Sequence, residues 1–125
     1  MSDQKAILVT ESEPNLLLTI KEELEANGFY VEPSFNKDEA LRKLQGRKID
    51  LALVDVSLEE TGGMELLNEM RKDTNFRSIP VVILWEAGDE LILNKALELG
   101  VTKAFLKTRS GLKDLLESFN EILKI

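Results

Sequence analysis

A doubly wound α/β domain, with one parallel five-stranded sheet and helices on both faces, is the fold class this sequence predicts. Three observations predict it. Five short apolar runs recur along the chain, each followed by a segment with helical spacing, and that alternation argues for parallel pairing. Several runs are almost continuously apolar, as burial on both faces requires. The 125 residues are the size of one domain, 43% hydrophobic and 31% charged, with no linker or low-complexity tract, so 1–125 reads as a single domain.

Ala6–Val9 is the first strand. Pro14 suits the first turn of the helix that follows, Leu17, Ile20 and Leu24 recur at helical spacing, and Asn27-Gly28 stops it. Phe29–Val31 is a short second strand. Asn36 with Glu39 resembles a capping box, ahead of the apolar stripe Ala40, Leu41 and Leu44. Ile49–Val56 is the third strand, Glu59–Gly63 a turn, and Met64–Arg71 the third helix. Ile79–Trp85 is the fourth strand, and Glu90–Leu99 the fourth helix, closed by Gly100. Lys103–Lys107 is the fifth strand, and Leu112, Leu115, Leu116, Phe119, Ile122 and Leu123 mark the last helix.

Composition removes whole classes of function. With no cysteine there is no disulfide, thiolate nucleophile or cysteine-ligated metal, and a reducing, cytoplasmic setting is expected. With no histidine there is no Ser-His or Cys-His dyad. The net charge of −7 argues against direct nucleic-acid contact, and no apolar run approaches the roughly 20 residues that span a bilayer, so no membrane partner is expected.

Within "LALVDVS" (Leu51–Ser57) one carboxylate, Asp55, is set near the carboxyl end of an apolar strand. A buried unpaired carboxylate is costly, so Asp55 must reach the surface or a partner. Open parallel sheets place their sites outside the carboxyl ends of the strands. Glu11 and Ser12 follow the first strand, Trp85 ends the fourth and Lys107 ends the fifth, so four segments deliver residues to one edge. Taken singly these residues have plain readings. Asp55 is a turn former, Lys107 a solvated lysine, Trp85 a packing residue, and Glu11 and Glu13 favourable acids at a helix start.

Taken together, "ILVTESEPN", "DLALVDVSLEETGGMELLNEMR", "IPVVILW", "KALELG" and "AFLKT" resemble, in order and spacing, the receiver (CheY-like) domain of two-component response regulators. The resemblance covers essentially the whole chain. It implies the flavodoxin-like strand order 2-1-3-4-5, and no enzymatic activity beyond self-phosphotransfer onto Asp55. Asp55 would be the phosphoacceptor, taking a phosphoryl group from a histidine kinase or meeting another signalling protein. Glu11, Ser12, Asp55 and the backbone carbonyl of Ser57 would form the acidic Mg²⁺ site, and Lys107 would contact the phosphoryl group.

Several positions depart from the family pattern. Ser12 replaces the second acid, so Mg²⁺ binding is expected to be weak. Trp85 stands where the family has Ser or Thr, and Ala104 where it often has an aromatic, so the two switch positions have exchanged volume. Thr108 replaces a proline after Lys107, and a trans peptide is expected there. The leading expectation is a divergent receiver acting by protein contact with a degenerate metal and switch site. The alternative is a fully phosphorylatable receiver. An aspartate-nucleophile phosphatase lacks its second acid at Ser57, and a flavodoxin-like carrier lacks its phosphate loop in "TESEPN". Leu91, Leu93, Ala96 and Leu97 exceed one core stripe. That surplus points to a partner or self-association surface, such as a homodimer through the fourth helix, fifth strand and fifth helix.

Overall fold

The computed structural model describes residues 4–57, 61–107 and 111–125. Strands and helices alternate as β1 (Ala6–Thr10), α1 (Pro14–Ala26), β2 (Tyr30–Ser34), α2 (Lys37–Gly46), β3 (Leu51–Asp55), α3 (Gly63–Lys72), β4 (Val81–Trp85), α4 (Glu90–Glu98), β5 (Lys103–Leu106) and α5 (Leu112–Leu123). All strand pairs are parallel, in the order β2-β1-β3-β4-β5. The expected architecture and strand order are therefore both present.

Alternate side chains of each strand feed opposite faces, and two cores result. Ala6 and Leu8 of β1 join Leu44 of α2, Leu67 and Met70 of α3 and Ala96 of α4 on one face. Ile7 and Val9 join Leu17 and Ile20 of α1 and Leu115 and Phe119 of α5 on the other. β1 and β3 are buried at every position, which explains their unbroken apolar sequence. Phe29 meets Phe119 edge-on, with centroids 6.2 Å apart and planes at 89°. Of the α4 stripe, Ala96 is buried and Leu93 packs against the core, whereas Leu91 is 77% exposed and Leu97 49%.

Three local differences from the sequence reading have physical causes. The second strand runs from Tyr30 to Ser34, beyond the expected Val31. Pro33 is tolerated because β2 is an edge strand with one neighbour. Ile49 and Asp50 precede the third strand, where Asp50 clamps Ala6: its N–H donates to the Ala6 carbonyl at 2.8 Å, and its Oδ2 accepts from Ala6 N at 2.8 Å. The capping box closes one residue early. Asn36 Oδ1 accepts from Glu39 N, but Glu39 Oε1 accepts from Phe35 N at 2.6 Å.

At the amino end of the sheet, Arg71 near the end of α3 donates to the carbonyls of Leu99, Arg77, Ile79 and Gly100 at 2.8–3.2 Å. One guanidinium thus ties α3 to the segments entering β4 and β5. No helix among the described residues is long and apolar enough to cross a membrane.

Gly63 opens α3 directly beneath the end of β3. A Cβ there would lie 2.0 Å from the Asp55 carbonyl oxygen and 3.1 Å from a Val54 methyl. Gly63→Ala is expected to destabilise the fold by about 3 kcal/mol, the upper part of the overpacking range. Gly46→Ala, with nothing within 4 Å of the added carbon, should be close to neutral. Urea midpoints of the two variants check the contrast.

Candidate functional site

The carboxyl ends of β1, β3 and β4, with the turn after β5, bring four charged groups together. Asp55, the last residue of β3, is fully buried. Its Oδ1 accepts from Ser57 N at 2.9 Å, and its Oδ2 accepts from Lys107 Nζ at 2.5 Å. The β3 strand places Asp55 opposite Leu84, and Lys107 N donates to the Trp85 carbonyl at 2.9 Å, so backbone pairing aims the lysine across β4 at the aspartate.

Glu11, just past β1, is fully buried. Its Oε2 accepts from Glu13 N at 2.9 Å. Its Oε1 lies 3.3 Å from the Lys107 ammonium, an ion contact without hydrogen-bonding geometry. Burial, aided by the adjacent Asp55 carboxylate, pushes the Glu11 carboxyl from 4.5 to about 7, while the Glu13 N–H and Lys107 pull the other way. Burial alone would lower Lys107. The hydrogen bond to Asp55 and the charges of Asp55 and Glu11 outweigh it, and the ammonium is held above its ordinary range.

The other expected residues fall nearby with different roles. Ser12 is half-buried beside Glu11. Glu13 does not replace the missing acid: it caps α1, accepting from Asn15 N at 3.2 Å and Leu16 N at 2.7 Å. Ser57 Oγ accepts from Glu86 N at 2.8 Å and links the ends of β3 and β4. Trp85 is half-buried against the α2–α4 core, as is Ala104. Their register is diagonal, since Trp85 pairs with Leu106 and Ala104 with Ile83, one pleat farther in on the same face. Thr108, and Glu59 and Glu60 of the expected turn, lie outside the described residues.

Sequence reasoning missed two contributors. Glu86 Oε1 stands 3.8 Å from Lys107, a third carboxylate around one ammonium. Ser34, at the end of β2, hydrogen-bonds with Thr10 Oγ1 at 2.8 Å, and its carbonyl accepts from Glu11 N at 3.0 Å, fixing the turn that carries Glu11. Glu86 follows Trp85 directly and was legible by position. Ser34 was hidden by ending the second strand too soon.

A sequence model of the family described as "Response regulator receiver domain" matches residues 7–120. Curated relatives include the regulatory protein VanRc of Enterococcus gallinarum, 34% identical over 79% of this chain and 43% of its own length. The transcriptional regulatory protein CrdR of Helicobacter pylori is 32% identical over 90% of this chain and 52% of its own. The chain thus spans about half the length of such relatives. Among solved structures, a CheY-like receiver domain protein from Methanospirillum hungatei superimposes with a TM-score of 0.87 at 26% identity, covering 98% of this chain and 95% of that one. A response regulator from Thermotoga maritima gives 0.81 at 28%, covering 98% and 99%.

Protonated Glu11 favours folding, because its proton is held more tightly in the folded chain than in the unfolded one. That contribution is complete below about pH 4.5 and is lost as pH rises through about 7. Glu11→Gln should therefore stabilise the protein at about pH 8, by at most about 3 kcal/mol, and the gain should shrink toward zero at about pH 4. Denaturant melts at both pH values check this.

Proposed function

Since the chain belongs to the response regulator receiver domain family, a domain of two-component signalling proteins, we propose that Asp55 is its phosphoacceptor, in a cytoplasmic protein that works chiefly by protein contact. The observation that carries this reading is the buried Asp55–Lys107 pair at the convergent edge of the sheet, with Glu11 beside it. A carboxylate oxygen of Asp55 attacks the phosphorus of a phosphohistidine on a partner kinase, the P–N bond breaks, and the phosphoryl group stays on Asp55. Lys107 supplies a fixed positive charge for the phosphoryl oxygens. Catalysis goes no further than this transfer onto the chain itself.

The donors around Asp55 fit Mg²⁺ by type, since all are oxygens. Glu11, whose Oε1 accepts no hydrogen bond, Asp55, the Ser12 hydroxyl and the Ser57 carbonyl would hold it. When bound, the ion offsets charge developing on the phosphoryl group. Ser12 brings no charge, and a missing unit charge a few ångströms from a divalent ion costs several kcal/mol by order of magnitude. The intact Asp55–Lys107 pair also supports the second reading, a receiver phosphorylated in the ordinary way. A Mg²⁺ titration followed by Trp85 fluorescence separates the two. Weak binding, tightened by Ser12→Asp, supports the degenerate site, whereas sub-millimolar saturation of the unaltered chain supports the second reading. Asp55→Asn should abolish labelling by a small phosphoryl donor.

Trp85 and Ala104 lack the hydroxyl and the aromatic ring that would respond to a phosphoryl group. We read them as a volume exchange that fixes the β4–α4 region in one state, with the indole leaning over Ala104. The exposed Leu91 and Leu97 add apolar surface to α4, and a homodimer through α4, β5 and α5 is the self-association this reading allows. Ala104→Tyr should then destabilise the chain by about 1–3 kcal/mol. Combined with Trp85→Thr, it should be more stable than the two single losses add up to. Additive losses in thermal melts would refute the exchange.

A further inference from the structure

Two hydroxyls are buried at the carboxyl ends of β1 and β2, where the sheet could hold apolar side chains. Thr10 and Ser34 are register partners there, and each is 1% exposed. The rest of β1 is apolar, the usual content of a strand buried at every position. Ser34 Oγ donates to the Val9 carbonyl at 3.2 Å. Its one hydrogen is thereby used, so Thr10 is the donor in the 2.8 Å bond between the two hydroxyls. The Ser34 carbonyl accepts from Glu11 N at 3.0 Å. One residue of the edge strand therefore holds three successive residues, Val9, Thr10 and Glu11.

Stability does not account for the pair. Replacing both partners of a buried hydrogen bond by apolar groups of the same shape can be nearly neutral. Valine matches threonine in shape, and alanine is serine less its oxygen. What the hydroxyls supply is direction, since hydrogen bonds fix angles that apolar contacts leave open. The residue that leaves this end of β1 is Glu11. It is fully buried, its Oε2 accepts from Glu13 N at 2.9 Å, and its Oε1 lies 3.3 Å from the Lys107 ammonium. A misplacement of about 1 Å in a reacting site can cost about a hundredfold in rate.

We propose that Thr10 and Ser34 are positioning residues for phosphoryl transfer to Asp55, acting through Glu11. Their bonded hydroxyls hold the end of β1 so that the Glu11 carboxylate stays beside Lys107 and Asp55. Both hydroxyls are committed to β1 and β2, so the pair works through Glu11 and not on the phosphoryl group itself. The proposal rests on the reading of Asp55 as the phosphoacceptor.

The test compares Thr10→Val/Ser34→Ala with the unaltered chain and with Thr10→Ser, which keeps the hydroxyl. In metal-free protein the Glu11 amide should exchange with solvent about tenfold faster in the double variant, with the urea midpoint little changed. Labelling by acetyl phosphate with Mg²⁺ should slow about tenfold. Thr10→Ser should keep both rates. In a Glu11→Gln background, loss of the two hydroxyls should slow labelling no further. Thr10→Val alone leaves no buried donor without an acceptor and should show a smaller effect of the same sign, should the double variant fail to fold. Unchanged Glu11 exchange, or equal slowing with and without the Glu11 carboxylate, would overturn the proposal. An unaltered chain whose Asp55 takes no label would overturn the phosphoacceptor reading instead, whatever the Glu11 exchange shows.

Discussion

Lys107 is the constraint on which the rest of the site depends. Two fully buried carboxylates, Glu11 and Asp55, face each other at the end of the sheet, and neither position would be tolerable without a cation between them. Removing one partner of a buried pair is far more damaging than the pair is stabilising, because the remaining charge stays desolvated. Here that logic is sharpened, since the cation serves two acids and touches a third at Glu86. Part of the conflict is resolved by protonation, with Glu11 taking up a proton near neutrality while Lys107 stays charged. A phosphoryl group on Asp55 would add negative charge to the same place, so a cation already committed to the site is the natural recipient.

The scaffold serves this cluster through backbone contacts. The Ser34 carbonyl holds the turn bearing Glu11, the Trp85 carbonyl holds Lys107, and the Leu84 carbonyl receives Val56 N just beyond Asp55. Carbonyls of two strands, β2 and β4, thereby fix the chain where it leaves β1, β3 and β5. Gly63 completes the arrangement from below, since only a residue without a side chain lets α3 begin against the Asp55 carbonyl. The close approach accounts for a glycine that the sequence alone would explain merely as part of a turn.

The fold was legible because two-sided burial writes itself as continuous apolar runs. Leu51–Val54 shows no polar interruption, and every one of those residues is buried. Asp55, Glu11 and Lys107 were legible as a set for the same reason, since a charge ending an apolar strand in a parallel sheet has one edge to go to. Edges of elements were less legible. The apolar run stops at Val31, ahead of Glu32 and Pro33, and that concealed Ser34. Glu39 pairs with Phe35 N in place of the cap residue because its oxygen reaches past Asn36, a choice of rotamer that composition does not encode. Glu86 and the buried Thr61 and Ser118 hydroxyls belong to the same class. Their significance lies in which neighbours reach them, and those neighbours come from other elements.

The four carbonyl bonds of Arg71 give the molecule two unlike ends. At the amino end of the sheet, one partly buried guanidinium sews together α3, the entry to β4 and the entry to β5. At the carboxyl end, where the charged cluster lies, side chains make the ties instead: Lys107 to Glu11, Asp55 and Glu86, and Ser57 Oγ to Glu86 N. A change of charge therefore acts on the ties at one end and leaves the carbonyl bonds at the other alone. The domain is a sheaf bound at one end by backbone carbonyls and at the other by charges.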